Sequence, residues 1–232
     1  RADQMLLGIE DLAPAGTVKL GFQAHYPQLE TKLAAQAASE TELDALLAPV
    51  EAAVREKLGN FIIAEDDHSM EGMVINALVA AGGSLATAEM FTSGAIAARF
   101  APKEGAETPY LRGVVSHDLS QMCKAVGLDV KTTDQGLVAP TAAAIAVALR
   151  EQSEATHALA VLINLDNGAD KIEFGGTINV GIADKNGTVT RTARILGGRD
   201  WVRLGATELA IDCLRRHLQG LPVDEQIDFE KR

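Results

Sequence analysis

The sequence contains little cysteine and few aromatic residues. Among its 232 residues there are two cysteines, Cys123 and Cys213, and aromatic residues make up 4% of the chain. Two cysteines so far apart have neither the spacing of metal ligands nor the density of a disulfide framework. We therefore expect two buried free thiols and a reducing compartment, the cytoplasm.

A long hydrophobic run is also missing. No stretch approaches the ~18 consecutive apolar residues that a transmembrane helix needs, so we expect no membrane partner. The chain opens with Arg-Ala-Asp-Gln, which lacks the basic and apolar regions of a signal peptide. Because the first residue is not methionine, we expect that an upstream segment has been removed.

Basic charge is scarce, since 21 Lys and Arg residues face 32 Asp and Glu residues for a net charge of −11. This balance argues against nucleic acid as the main partner, because phosphate contacts along a nucleic acid require a basic face. A small basic pocket could still hold one phosphate. The length allows one large domain or a medium and a small one, and 47% hydrophobic residues are typical of a globular protein.

The chain changes character near residues 65–69, a charged and polar stretch. Before it, residues 16–64 predict a strand, a second strand, a helix opened by Ser39 or Thr41, and a short strand at 61–64. After it, strands alternate with helices, which predicts an α/β sheet covered on both faces. Asn186-Gly187 predicts one antiparallel hairpin in that sheet. We expect domains at 1–66 and 67–220 and a polar tail at 221–232.

The elements of the second domain follow from hydrophobic periodicity and from the positions of glycine and proline. Strands are predicted at 84–89, 110–116, 158–163, 175–183 and 189–195. Helices are predicted at 70–78, 92–100, 119–126, 139–149 and 199–220. The strand at 158–163 is apolar throughout, which is typical of a buried parallel strand.

The most informative candidate site is the segment 87–94, in which a buried strand runs into Thr92, Ser93 and Gly94 and then into a helix. Such a turn can direct hydroxyls and backbone N–H groups at an anion. The alternative interpretation is a tight turn in which Thr92 or Ser93 caps the helix.

Two further candidates are a histidine and an arginine pair. His117 directly follows a predicted strand, where α/β sheets place ligand groups, although a surface histidine would occupy the same position. Arg199 and Arg203 are four residues apart on one helix face and could bind phosphate together, or they could pair with acids such as Asp200.

Other common motifs are absent from the sequence. It contains no GxGxxG, GxxxxGK[ST], GxSxG or HExxH pattern. The remaining histidines, His25, His68, His157 and His217, have no partner at metal-ligand spacing. We therefore predict no metal site and no cofactor.

Residues 69–218 resemble the C-terminal domain of the CinA (competence/damage-inducible) family, the nicotinamide mononucleotide deamidase domain. Residues 16–64 resemble the small KH-like domain that precedes it in longer members. We expect no counterpart here of the molybdopterin-binding-type domain at the N-terminus of those members. The resemblance implies a three-layer α/β/α domain preceded by a small α+β domain, and by analogy a homo-oligomer.

The motifs that carry the resemblance match at scaffold positions. In the family turn A-E-S-C-T-G-G, the positions of Glu89, Thr92 and Gly94 fit. Further matching positions are Gly113, Val114, Val115, Gly127, Gly176, Thr177, Gly197, Arg199, Val202 and Arg203. The family stretch V-T-G-I-A-G-P falls on residues 161–167 and has diverged.

The chemical positions of the family do not match. The family serine nucleophile falls on Met90, the family lysine on Met122 and a family tyrosine on His117. As the resemblance implies, that serine attacks the carboxamide carbon while the lysine serves as its base, and a thioether can do neither. We therefore expect that this chain has lost deamidase activity.

Three functional hypotheses follow. In the first, the chain is a binding, regulatory or structural protein that holds a small nucleotide or another phosphate-bearing ligand. Its expected ligand-binding residues are Glu89, Thr92, Gly94, Gly176, Arg199 and Arg203. In the second, it is a diverged amidohydrolase in which Ser93 and His117 form a nucleophile–base pair. In the third, side chains fill the former site of a purely structural oligomer.

Overall fold

The chain divides into two units of different architecture, Arg1–Ile63 and Ala64–Arg232. The computed structural model describes residues 2–66, 68–129, 131, 135–166 and 174–226. The last position of the diverged stretch, Asn167, and the end of the predicted tail, 227–232, lie outside the described residues.

The first unit packs one long helix and a hairpin around a small hydrophobic cluster. Its elements are α1 (Ala2–Met5), a 3-10 turn (Ile9–Leu12), β1 (Val18–His25), β2 (Gln28–Ala35), α2 (Glu40–Leu58) and a second 3-10 turn (Gly59–Phe61). β1 and β2 pair antiparallel from Val18 opposite Ala35 to His25 opposite Gln28. Leu6, Ile9, Ala13, Val18 and Val50 form the buried cluster.

Two predictions for this unit have different outcomes. Ser39 caps α2 as predicted, because its Oγ accepts a hydrogen bond from the Glu42 N–H at 3.3 Å. The strand predicted at 61–64 is wrong. Gly59, at φ 51°, ends α2, and the chain then tightens into the 3-10 turn, so the described sheet of this unit has two strands.

The second unit is built on a five-stranded mixed sheet. Its elements are α3 (Met70–Ala80), β3 (Leu85–Met90), α4 (Ala95–Phe100), β4 (Tyr110–Ser116), α5 (Leu119–Ala125), α6 (Ala139–Ser153), β5 (His157–Leu165), β6 (Gly175–Asp184), β7 (Gly187–Leu196) and α7 (Arg199–Leu218). The strand order is β4-β3-β5-β6-β7. β3 is parallel to β4 and β5, whereas β5–β6 and β6–β7 are antiparallel. The predicted hairpin is confirmed. β5, predicted to be a parallel strand, is parallel to one neighbour, β3, and antiparallel to the other, β6.

Helices cover both faces of this sheet and give the expected three-layer arrangement. On one face α5 packs on β3 and β4, and α6 packs on β3, β5, β6 and β7. On the other face α7 packs on β5, β6 and β7 and contacts α3 and α4. Successive residues of β3 point to opposite faces, so Ala86, Ala88 and Met90 join the hydrophobic cluster under α5 and α6.

One glycine allows α6 to lie directly on the sheet. A Cβ at Gly181 of β6 would lie 2.4 Å from the backbone carbon of Ala142 and 2.5 Å from its carbonyl oxygen. Any side chain at this position would therefore push α6 away from the strand.

Among the described helices, none has both the length and the apolarity that crossing a bilayer requires.

Candidate functional site

The strand order creates a topological switch point at β3. The connection after β3 leads to β4 on one side, and the connection after β4 leads to β5 on the other side. In open α/β sheets the crevice at the carboxyl ends of the strands beside such a point is the usual ligand site. The β3–α4 turn, His117, the end of β5 and the start of α7 all lie at this carboxyl edge.

Glu89 and Thr92 are buried beneath the carboxyl edge of the sheet. One carboxylate oxygen of Glu89 accepts hydrogen bonds from Thr92 Oγ1 at 2.8 Å and from the Ile96 N–H at 3.0 Å. The other accepts from the Ala97 N–H at 2.8 Å. Both side chains are fully buried. Glu89 therefore caps α4 from the preceding strand, whereas the alternative interpretation of the turn gave this role to Thr92 or Ser93.

This arrangement changes the expectation for an anion at the turn. The N–H groups of Ala95 and Ala98 donate to the carbonyls of Thr92 and Gly94, and Glu89 occupies those of Ile96 and Ala97. The first turn of α4 thus has its acceptors within the protein. An anion at the carboxyl edge must be held by other groups.

The β3–α4 turn has an unusual backbone. Phe91, Ser93 and Gly94 have positive φ values of 71°, 59° and 84°. For residues with a side chain this left-handed region is unfavourable, and strained positions of this kind cluster at functional sites. Ser93 stands where the motif that this turn resembles has glycine, which adopts this conformation without strain.

Met90 and Met122 are core residues in this structure. Met90 is 5% exposed and Met122 is 0% exposed. Both belong to the hydrophobic cluster between the sheet and helices α5 and α6, together with Val114, Ile145 and Leu162. The two positions at which the resemblance implies a nucleophile and its base thus contribute apolar packing here.

Ser93 and His117 are exposed at the carboxyl edge. Ser93 Oγ donates a hydrogen bond to the Phe91 carbonyl oxygen at 3.2 Å, within its own turn. His117 follows Ser116, which is paired with Met90 across β3 and β4. The structure therefore places both residues at one edge, but the hydroxyl proton of Ser93 is directed at the backbone and not at an imidazole.

Arg199 lies beside the turn, at the start of α7. Its guanidinium carbon is 5.6 Å from the centre of the Phe91 ring, a cation–π contact. The N-cap of α7 is Gly198, which has no side chain to cap the helix. Arg203 makes a long ion pair with Asp200, 3.7 Å between Nε and Oδ1. The contact between Phe91 and Arg199 was not predicted, because nothing in the sequence relates positions so far apart.

The end of β5 is tied to β7 by an ion pair. Arg194 contacts Asp166 through two nitrogens, at 3.0 Å and 2.6 Å. The hydrogen bonds from Arg194 lower the pKa of Asp166 below its ordinary value. Gly176, predicted as a ligand-binding residue, is buried, and a Cβ there would lie 2.9 Å from Val202 Cγ1. Its immediate role is therefore to let α7 approach β6.

A partly buried ion-pair network connects α4 to α3 and α7. Arg99 of α4 bonds Glu71 of α3 through Nε and Glu208 of α7 through Nη1. Burial raises the pKa of Glu71, but the hydrogen bond and charge of Arg99 outweigh it, and the net pKa is lowered. The network links the three helices on that face of the sheet.

A second polar group lies at the other end of the sheet. His157, Asp184 and His217 each offer one ligand atom, and these atoms lie within 4.8 Å of one another. Burial, and after it the charge of His217, lower the pKa of His157. His157 and His217 have no partner at metal-ligand spacing in the sequence, but the fold places them beside Asp184. The sheet register and α7 bring together residues that are 27 and 33 positions apart.

Comparison with protein families gives two matches that together span most of the chain. Residues 67–218 match the family model described as CinA C-terminal domain. Residues 4–64 match the model described as damage-inducible protein CinA KH domain.

Curated relatives are similar over nearly the whole chain. A CinA-like protein of Frankia casuarinae is 34% identical over 219 residues, covering 94% of this chain and 51% of the relative. A CinA-like protein of Myxococcus xanthus is 32% identical over 220 residues, covering 91% of this chain and 52% of the relative. The chain therefore spans about half the length of these relatives.

Solved structures share the fold of the second unit at low sequence identity. A competence-damaged protein (CinA) superfamily protein from Klebsiella pneumoniae aligns with a TM-score of 0.59 at 21% identity, over 67% of this chain and 99% of that one. A competence or damage-inducible protein from Enterobacter asburiae aligns with a TM-score of 0.57 at 20% identity, over 66% of this chain and 99% of that one.

Proposed function

The chain belongs to the CinA family, and we propose that it is a member that has lost amide hydrolysis and binds a small phosphate-bearing nucleotide at the carboxyl edge of its sheet. The observation that carries the proposal is the burial of Met90 and Met122 in one hydrophobic cluster. These are the positions at which the family resemblance implies a nucleophile and its base.

The loss of hydrolysis follows from the chemistry of the two side chains. A thioether has no proton to lose and so cannot become an attacking anion, and at neutral pH it cannot accept a proton. Loss of a nucleophile costs about 10⁶-fold in a serine hydrolase. Burial of Met122 also keeps water from reaching that position.

Ligand binding is supported by the start of α7. A helix N-terminus favours anions, and Gly198 allows a phosphate to approach the first turn of α7 closely. Arg199 is exposed there and stands over Phe91. The aromatic ring and the guanidinium fit a ligand that combines a flat base with a phosphate. In this proposal the phosphate binds at the start of α7, and Glu89, Thr92 and Gly94 hold the shape of the β3–α4 turn without contacting the phosphate.

The first test measures ammonia release from nicotinamide mononucleotide, with an active family member as the control. We expect no turnover by the full chain above the buffer rate. Turnover near that of the control would overturn the proposal and require another nucleophile. Ser93→Ala and His117→Ala would then show whether the second hypothesis, an amidohydrolase that uses these two residues, explains it.

The second test measures binding of nicotinamide mononucleotide by calorimetry. Arg199→Ala should weaken binding at least about tenfold, the usual effect of losing a charge-assisted hydrogen bond. Lys185→Ala is the matched control, because it removes one exposed positive charge in the hairpin at the other end of the sheet. Equal losses in both variants, or no binding by the unaltered chain, would contradict a site at α7.

Two further expectations concern the state of the protein. We propose a cytoplasmic location, supported by two free buried cysteines, Cys123 and Cys213. We also propose a homo-oligomer, supported by the exposed apolar side chains of Trp201 and Leu204 on α7. Light scattering on the purified chain tests the second expectation, and a monomer mass at micromolar concentration would refute it.

A further inference from the structure

The group at the far end of the sheet joins three elements of the second unit. His157 begins β5, Asp184 ends β6 and His217 lies in the last turn of α7. The antiparallel register places Ala158 opposite Ala183, so His157 and Asp184 are adjacent across the two strands. His217 Nε2 lies 3.2 Å from Asp184 Oδ2.

The hydroxyl of Thr156 contacts both the Ser84 carbonyl oxygen, at 2.9 Å, and His157 Nδ1, at 2.8 Å. A hydroxyl that donates its one proton to the carbonyl accepts a hydrogen bond from Nδ1–H at the second contact. In the neutral ring the lone pair is then on Nε2. A hydrogen bond from the other ring nitrogen is the usual support of a metal-binding histidine.

Asp184 is oriented by the hairpin that follows it. Its Oδ1 accepts from the Asn186 N–H at 2.7 Å, and its Oδ2 accepts from Asn186 Nδ2 at 3.2 Å. The side chains of Asp184 and His217 are 11% and 18% exposed. The group is thus held in place by its neighbours and remains in contact with solvent.

We propose that His157, Asp184 and His217 form a binding site for one divalent transition-metal ion of the Zn²⁺ class. Two imidazoles and one carboxylate are a ligand set that zinc accepts, with a fourth position for water. Magnesium and calcium prefer oxygen ligands and are disfavoured by two nitrogens.

The geometry is close to what such an ion needs. Zinc bonds of about 2.0–2.1 Å in a tetrahedron place ligand atoms about 3.3 Å apart. The contact between His217 Nε2 and Asp184 Oδ2, at 3.2 Å, already has this spacing. Since all three ligand atoms lie within 4.8 Å, a movement of about 1.5 Å by one imidazole completes the set, well within the range of a side-chain rotation.

A bound ion would connect the start of β5, the β6–β7 hairpin and the end of α7. Its charge would meet one carboxylate, that of Asp184, and the nearby positive charge of Arg150, which acts on His157. Because only one carboxylate offsets the charge of the ion and Arg150 repels it, we expect a lower affinity than at zinc sites with thiolate ligands. The site lies at the opposite end of α7 from the proposed nucleotide site, since the roughly 18 residues from Arg199 to His217 span about 27 Å of helix.

The test uses the untagged full chain after treatment with a chelator. Calorimetric titration with Zn²⁺ at neutral pH should show one equivalent bound and no heat with Mg²⁺. Saturating Zn²⁺ should raise Tm by at least about 3 °C. Titration with Co²⁺ should give the visible absorption of a four-coordinate site.

Glutamine is similar in size to histidine, and its amide nitrogen has no lone pair available to bind a metal ion. His157→Gln and His217→Gln should each weaken Zn²⁺ binding at least about 100-fold, since even supporting residues outside the ligand set cost 10–100-fold. His68→Gln, at an exposed histidine of the same unit, is the matched control and should bind as the unaltered chain does. Asp184→Asn provides a third variant, should either histidine variant fail to fold.

Two results would overturn the proposal. The first is a chain that binds no Zn²⁺. The second is binding that is unchanged in the His157→Gln and His217→Gln variants, which would place the ion elsewhere. In either case the group is a hydrogen-bonded contact between His217 and Asp184 that joins the hairpin to α7.

Discussion

Thr92 donates a 2.8 Å hydrogen bond to the carboxylate of Glu89, and both side chains are fully buried. The same carboxylate accepts the N–H groups of Ile96 and Ala97 at the start of α4. The strand residue thus fixes both the turn and the helix that follows it. This relationship determines the shape of the carboxyl edge whatever ligand binds there.

Glu89→Gln should destabilise the second unit. The amide nitrogen of glutamine would face backbone N–H donors, so at least one buried donor would lose its acceptor. We expect a loss of about 2–4 kcal/mol in the free energy of unfolding, measured by urea denaturation. Glu151→Gln, at an exposed position of α6, should change the free energy by less than about 0.5 kcal/mol. Equal effects of the two substitutions would refute the capping role of Glu89.

Ser93→Gly should stabilise the protein. Ser93 has a φ of 59°, and a side chain in this region costs about 1–2 kcal/mol. Glycine removes that cost but adds backbone entropy to the unfolded chain, so the net gain should be about 0.5–1 kcal/mol. Ser93→Ala keeps the strain and should give no gain. A glycine variant no more stable than the alanine variant in chemical denaturation would argue against strain at this position.

The regular elements of the second unit were predictable because their hydrophobic periods are clear. The antiparallel hairpin followed from Asn186-Gly187, and the strand at Tyr110–Ser116 has the predicted limits. The prediction of a strand at 61–64 was wrong, since an apolar run of four residues does not show whether a neighbouring strand is available to pair with it. These differences depend on tertiary contacts that local sequence does not encode.

The candidate site was only partly predictable for a related reason. The turn at residues 91–94 and the start of α7 could be found from local composition. The capping role of Glu89 could not, because the carboxylate precedes its helix by more than one turn and reaches it through space. The group of His157, Asp184 and His217 depends on strand register and on the twenty-residue length of α7, and no local spacing signals it.

Met122→Lys should strongly destabilise the chain. The side chain of Met122 is 0% exposed within a hydrophobic cluster, and a buried ammonium without a partner costs several kcal/mol or loses its proton. We expect a loss of at least about 3 kcal/mol in thermal or urea unfolding, against less than about 1.5 kcal/mol for Met122→Leu, which conserves volume.

The double variant Met90→Ser, Met122→Lys tests whether these two positions alone prevent amide hydrolysis. A serine hydroxyl beside the lysine would restore the pair that the family resemblance implies. Recovery of ammonia release from nicotinamide mononucleotide would show that these two positions account for the proposed loss of activity. A folded double variant with no release would indicate that the diverged stretch at 161–167 also contributes to the proposed loss.

The network of Glu71, Arg99 and Glu208 should make stability depend on acid pH. Arg99 holds the pKa of Glu71 below its ordinary value of 4.5, although burial acts in the opposite direction. A carboxyl group whose folded pKa is lowered stabilises the fold above its unfolded pKa, and that stability is lost as pH falls through the folded pKa. Glu71→Gln should therefore unfold with a shallower pH dependence below about pH 4.5.

The same variant should also be less stable at neutral pH. Arg99 keeps Glu208 as a partner at 2.6 Å, so the cost should be about 2 kcal/mol, below the 3–5 kcal/mol of an isolated buried pair that loses one member. Unfolding by urea at a series of pH values measures both effects. A Glu71→Gln variant with the same acid slope as the unaltered chain would show that Glu71 does not contribute to it.

Gly181→Ala should displace α6 from the sheet. The added Cβ would lie 2.4 Å from the backbone carbon of Ala142 and 2.5 Å from its carbonyl oxygen, and a helix backbone cannot rotate away as a side chain can. We expect a loss of about 3 kcal/mol, the upper part of the range for overpacking. Gly21→Ala, on β1 with open space around its Cβ, should be neutral or slightly stabilising. Because α6 covers the cluster that contains Met90 and Met122, Gly181→Ala should also increase binding of a hydrophobic dye, whereas Gly21→Ala should not. A stable Gly181→Ala variant without dye binding would mean that α6 can shift on the sheet without exposing the hydrophobic cluster. The packing of Met90 and Met122 would then not depend on the close contact between Gly181 and Ala142.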